Sequence, residues 1–253
     1  RKDYQELGGR ETWIWNDYFG EVNGYISRVW QTNDNGRTIH CICKIGETKT
    51  TDGRKIACRH FHDCALRESN GDLYITSGDS GGQCKLIKGR LIENSWQFDV
   101  LGEGNLFKFG TVLMDEQYLY FLCDYTGYGN TGILRVSFSD AGNIERYQYV
   151  FTCQDNRPLS KVYYINNYSF IIYDGSVNGR MLISYNSEQY KNLYVAFEKE
   201  SSSIAALSNQ NNAGLVLIQK AEGYYISDLK LNDYMYDFTE AMEEAGYRDF
   251  RSF

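Results

Sequence analysis

Proline is almost missing from this chain: among 253 residues it occurs once, at Pro158. Turns must therefore be made by other residues, and 24 glycines are available to make them. Histidine is scarce as well. Any site that needs imidazole has only His40, His60 and His62 to draw on. No block of basic residues interrupts a formal net charge of -7, so the electrostatic footprint that attracts phosphate backbones is absent and no nucleic-acid partner is expected. A local cationic pocket for a small anion remains compatible with an acidic chain. No apolar run approaches the about 18 residues of a helical membrane span, and Arg1-Lys2-Asp3-Tyr4 does not open a signal peptide, so no membrane insertion is expected. The start at Arg1 suggests a processed protein or a piece of something longer, such as a virion component or a domain of an extracellular protein. The seven cysteines, Cys41, Cys43, Cys58, Cys64, Cys84, Cys123 and Cys153, are odd in number. We expect mostly buried free thiols and a reducing compartment, with one or two disulfides as the alternative.

What is abundant points to strands. Aromatic residues make up 15% of the chain, with 22 tyrosines among them. Aromatic and β-branched side chains fit a half-buried pleated surface, so the expected class is all-β. One pattern recurs five times along the chain: an apolar strand, a turn, an aromatic-rich strand, a polar Gly/Asn/Asp turn, and a third strand. The clearest copy contains Leu73-Tyr74-Ile75-Thr76, the turn Ser77-Gly78-Asp79-Ser80-Gly81-Gly82, and Cys84-Lys85-Leu86-Ile87. Corresponding second strands begin near Tyr25, Leu73, Leu119, Phe170 and Leu215, at spacings of 48, 46, 51 and 45 residues. That period matches one blade of a β-propeller, in which twisted four-stranded sheets bury their faces in their neighbours. We therefore expect a single propeller domain over 1–253, with blades near 10–50, 58–100, 105–150, 157–198 and 201–236. A tail at 237–253 is expected to form a short helix capped by Thr239. A β-sandwich is the alternative.

Two turns carry a more specific signal. Thr32-Asn33-Asp34-Asn35-Gly36-Arg37-Thr38-Ile39 resembles the Asp-box of sialidase-type, bacterial neuraminidase repeat propellers, and residues 77–84 resemble a degraded second copy in which Gln83 and Cys84 replace the threonine and aromatic positions. Asp34 and Asp79 lie 45 residues apart. The resemblance implies a propeller in which Asp34, Gly36, Asp79 and Gly81 are structural turn residues, the aspartate accepting backbone hydrogen bonds and the glycine allowing a positive φ. It also directs attention to a sialidase constellation of three arginines. Arg59 and Arg157 are candidate members, but the early Arg-Ile-Pro motif of that family is missing.

The remaining chemistry is sparse. Gly78-Asp79-Ser80-Gly81-Gly82 matches the nucleophile motif of trypsin-like proteases and Thr38-Ile39-His40-Cys41 echoes their histidine motif. In consecutive repeats these residues do not make a triad, so we read a coincidence. Cys58, His60, His62 and Cys64 alternate and would share one face of a strand. At about 3.3 Å per residue the outer two lie roughly 20 Å apart. One ion with bonds near 2 Å cannot gather all four, and only two neighbours plus a remote ligand such as Cys41 or Cys43 remain. We expect no metal and no cofactor. Aligned repeats bring Arg59, His60 and His62, then Lys108, then Arg157 to roughly one level, either as separate exposed charges beside loops or as a ring suited to a carboxylate or phosphate; the expected partner is a carbohydrate or other small anionic ligand. Asp63, with Glu11 second, is the one inner-strand acid for a glycosidase, which needs two. Trp13, Trp15, Trp30 and Tyr128 are read as blade packing rather than sugar platforms. The functional expectation is a non-catalytic binding or assembly module, for glycans or within a phage tail or host-attachment apparatus. A glycoside hydrolase and a purely structural protein contact are the alternatives.

Overall fold

The computed structural model describes residues 5–6, 11–18, 26–124, 131–152, 159–165, 168–173, 178–185, 194–200, 203–210, 213–220 and 223–229, with side chains described between 12 and 159. Arg157, Tyr128, Cys153 and the tail at 237–253 lie outside the described residues, as does the side chain of Glu11. All regular structure among the described residues is β-strand or short 3-10 turn. No helix among them is long and apolar enough to cross a membrane. The six described cysteines are free thiols.

The chain divides into two compact units, 1–159 and 160–253. The first carries three four-stranded antiparallel sheets. Sheet one is β1 (Gln5–Glu6), β2 (Glu11–Asn16), β3 (Arg28–Thr32) and β4 (His40–Lys44), paired in that order. Sheet two is β5 (Phe61–Leu66), β6 (Leu73–Ser77), β7 (Lys85–Ile92) and β8 (Ser95–Glu103). Sheet three is β9 (Phe109–Met114), β10 (Tyr118–Cys123), β11 (Gly132–Ser137) and β12 (Gln148–Thr152). The second unit carries β13 (Leu159–Ile165), which begins at the boundary, with β14 (Tyr168–Tyr173), β15 (Asn178–Tyr185) and β16 (Tyr194–Glu200). A three-stranded sheet follows, β17 (Ser203–Gln210), β18 (Ala213–Lys220) and β19 (Gly223–Leu229).

Sheet two shows how the first unit is held together. Every residue of β6 is buried. Leu73 and Ile75 pack with Val29 and Cys43 of sheet one, whereas Tyr74 between them packs with Val112, Leu119 and Phe121 of sheet three. Successive side chains point to opposite faces of a strand. A strand apolar at consecutive positions must therefore be covered twice, and the two neighbouring sheets do this. Each fully buried Leu or Ile contributes about 1.5–3 kcal/mol, a gain that a lone sheet could not collect on both sides. Face-to-face packing of three successive sheets in this way is the arrangement of propeller blades. β5 touches both β2 and β9.

Counted from those strands, the turns holding Asp34 and Asp79 occupy the same place, each joining a second strand to a third. In the first, the Asp34 carboxylate accepts the Thr38 N–H at 2.8 Å, the Thr38 hydroxyl at 2.6 Å and the Thr32 hydroxyl at 2.9 Å. The Gly36 N–H donates to Thr32 Oγ1 at 2.9 Å, and Gly36 takes φ +85. The Thr38 bonds hold the Asp34 carboxyl down at a pKa of about 2.

Candidate functional site

The site lies where the residues leading into β5 and β9 meet the chain that follows β2, β6 and β10. Arg59 and His60 lead into β5, and His62 is its second residue. The pairing of β5 with β6 slips between Phe61 and Asp63, so His62 is the extra residue of a β-bulge. A bulge re-aims side chains, and this one breaks the simple alternation that would carry Cys58 and Cys64 along with the two histidines. Asn16, from β2, holds the bulged backbone by donating to the carbonyls of Phe61 at 3.3 Å and His62 at 3.4 Å. The carbonyl of His60 accepts the N–H of Gly78 at 3.1 Å, which ties the next turn, and with it Asp79, to the same place.

The two imidazoles meet edge to edge, with Nε2 of His60 and Nε2 of His62 2.8 Å apart. His62 Nδ1 lies 2.8 Å from the Phe109 carbonyl of β9, which only accepts, so His62 carries its proton on Nδ1 and presents a bare Nε2 to the site. Asp79 Oδ1 faces both rings, 3.1 Å from His60 Nε2 and 3.6 Å from His62 Nε2. Its other oxygen receives Arg59 Nη1 at 2.6 Å. Both histidine side chains are only 4% exposed, Asp79 is 31% and Arg59 54%, so the cluster opens to solvent on the Asp79 side. Burial, then the neighbouring His62, push the His60 pKa down. For Asp79 burial raises the pKa, but His60 and the Arg59 bond outweigh it and the net direction is down. Tyr18, following β2, lays its ring 4.3 Å from that of His60. On the sheet-three side, Lys108 pairs with Asp124 at 3.5 Å.

The expected cationic ring is thus partly assembled and largely neutralised. Arg59, His60, His62 and Lys108 do converge, and Arg157 is outside the described residues. Alignment of the repeats misses the carboxylates that accompany the cations, Asp79 against Arg59 and Asp124 against Lys108. Asp79 carries a second signal, its place in the degraded turn. Where Asp34 bonds the Thr38 amide and hydroxyl four residues on, the corresponding residue after Asp79 is Gln83, and the carboxylate turns to Arg59 and His60 instead. Gly81 takes φ +54 and its N–H donates to Asn105 Oδ1, fixing the turn from sheet three. Asp63 is engaged in backbone: Oδ1 accepts the Cys64 N–H at 2.9 Å and Oδ2 accepts the Val112 N–H at 3.1 Å, linking β5 to β9. Among the described residues Ser80 makes no hydrogen bond to a histidine, and His40 sits exposed at the start of β4. The remote partner of the His60–His62 pair is Asp79, not Cys41 or Cys43, so three ligand atoms of metal-binding type converge here.

No protein-family model matches the sequence, and no curated protein matches it. Solved structures do. A chain of the nidogen/laminin complex superposes with a TM-score of 0.51 at 15% identity, over 81% of this chain and 69% of its own. A prolyl endopeptidase chain gives 0.44 at 14% identity over 89% of this chain, which spans about a third (32%) of its length. A Bacteroides fragilis NCTC 9343 chain designated a 6-phosphogluconolactonase gives 0.43 at 6% identity, over 86% of this chain and 65% of its own. At such identities the likeness to the nidogen/laminin chain carries the fold alone, and that fold is a β-propeller.

Proposed function

We propose, from the premise of a propeller scaffold, that this chain is a non-catalytic binding module for a small anionic or carbohydrate ligand, received where three sheets meet around Arg59, His60 and His62. The observation that carries this reading is the exposure of two groups beside an otherwise buried polar cluster. The Tyr18 ring is 62% exposed and offers a stacking face, and the Arg59 side chain is 54% exposed and offers a planar donor fork. Five sheets follow one another along the chain at the repeat spacing. We take them as five blades of one ring. The internal bonding of the turn at 32–38 supports kinship with sialidase-type Asp-box propellers.

A glycoside hydrolase is the rival. It needs one carboxyl group protonated and one ionised. Asp79 is shifted toward the ionised form, and Asp63 is used by two backbone amides, so neither suits a proton donor. Protein contact within a larger assembly, without a small ligand, is the second rival.

Glycan-array binding followed by titration calorimetry tests the proposal. Arg59→Ala and Tyr18→Ala should each weaken binding of an acidic glycan at least tenfold. Turnover of aryl glycosides, a sialoside included, that disappears in Asp63→Asn would replace this reading with the hydrolase. A stable partner or oligomer by light scattering, with no glycan bound, would favour the assembly role.

A further inference from the structure

Two of only three histidines in the chain are brought Nε2 to Nε2, and a carboxylate oxygen faces both. We infer that His60 Nε2, His62 Nε2 and Asp79 Oδ1 form a three-ligand site for a divalent transition ion of the zinc class, with the fourth position open toward solvent on the Asp79 side.

The geometry is the first argument. Ligand atoms about 2.0–2.1 Å from a tetrahedral ion lie about 3.3 Å from one another. The three separations here are 2.8, 3.1 and 3.6 Å, so an ion at the centre of the triangle needs only shifts of a few tenths of an ångström. In the ion-free state a proton on His60 Nε2 fills the gap between the rings.

Outer contacts hold two of the ligands in the needed orientation. Metal-bound imidazoles characteristically donate their other N–H to a carbonyl or carboxylate, and His62 does so to Phe109 at 2.8 Å. Asp79 gives one oxygen to Arg59 at 2.6 Å and keeps the other for the site. His60 lacks an outer partner, since its Nδ1 is buried without one among the described residues, so it is the less supported ligand.

Ligand chemistry selects the ion. Two imidazole nitrogens and one carboxylate oxygen suit zinc, cobalt, nickel or copper, whereas calcium and magnesium prefer all-oxygen sites. Cys84 is close by, but its buried thiol bonds the Gly78 carbonyl and its sulfur is not among the three ligand atoms that converge. The open position would admit water or an anionic ligand group. The metal site itself stands without the glycan reading, because it is tested with metal alone.

The experiment uses the full chain treated with EDTA and dialysed. Cobalt(II) is added while visible absorption is followed, and zinc(II) is titrated by calorimetry. The expected result is one ion per chain, d–d bands without thiolate-to-cobalt charge transfer, and a Tm that rises with zinc concentration. His62→Gln and Asp79→Asn should each lower affinity at least tenfold, and His40→Gln should leave it unchanged. Asp79→Asn, on the open side of the site and checked by circular dichroism, serves if His62→Gln fails to fold. Failure of the native chain to bind either ion below millimolar concentration would overturn the site, as would equal affinity in Asp79→Asn, a loss in His40→Gln, or thiolate bands. Glycan binding measured in EDTA reports separately on the ligand proposal.

Discussion

The Asp34 carboxylate gathers its bonds from within its own turn, so its ionisation is coupled to that turn. Its pKa is depressed from an ordinary 3.8 to about 2. The stabilisation is therefore fully present above about pH 4 and is lost as pH falls through about 2. Asp34→Asn should melt below the native chain at neutral pH, and the gap in Tm should close between about pH 4 and pH 2; a gap that persists at pH 2 would assign the loss to shape rather than charge. Gly78 is the second sensitive position. It takes φ +81, and a Cβ there would lie 2.0 Å from the Gln83 carbonyl oxygen. Gly78→Ala should cost about 3 kcal/mol or more, lowering Tm by roughly 6–12 °C in a thermal melt. Residue patterns in the sequence located Asp34 and its turn because every partner is within four positions. The same patterns placed Asp79 in an equivalent turn but not against His60, because that contact depends on a bulge at His62 that alternation of side chains does not reveal.

Strand β6 carries the clearest consequence of two-sided packing. Ile75→Ala opens a hole on the sheet-one face and should cost about 2–5 kcal/mol. Tyr74 faces sheet three, where its hydroxyl is buried without a hydrogen-bond partner among the described residues and its pKa is raised to about 12 by burial. Removing an unsatisfied buried hydroxyl relieves its desolvation cost. Tyr74→Phe should thus be neutral or stabilising by up to about 1 kcal/mol, measured by urea denaturation, and a loss above that would reveal a missed partner. The strands themselves are legible in the amino-acid order, since β6, β10 and β14 fall on the repeat of apolar and aromatic runs. Packing order is legible from the same runs, because consecutive apolar residues at 73–75 leave no polar face. Cation neutralisation at the site is not, since Asp124 reaches Lys108 from the end of β10, sixteen residues further along the chain.

At the scale of the whole molecule, the five-blade ring proposed above predicts cooperative melting. Blades that close on one another lose their cover together, so differential scanning calorimetry should show one transition whose calorimetric and van't Hoff enthalpies agree. Two separated transitions would mean that 1–159 and 160–253 melt as independent bodies. The two-faced burial of sheet two has a further consequence during synthesis. When that sheet leaves the ribosome, one of its faces can settle on sheet one, but the other waits for residues that are still being translated. At about 5–20 residues per second, the next 45 or so take roughly 2–9 s to arrive. For that interval every nascent chain carries an uncovered apolar plane, and chaperone demand should peak each time another sheet is only half enclosed.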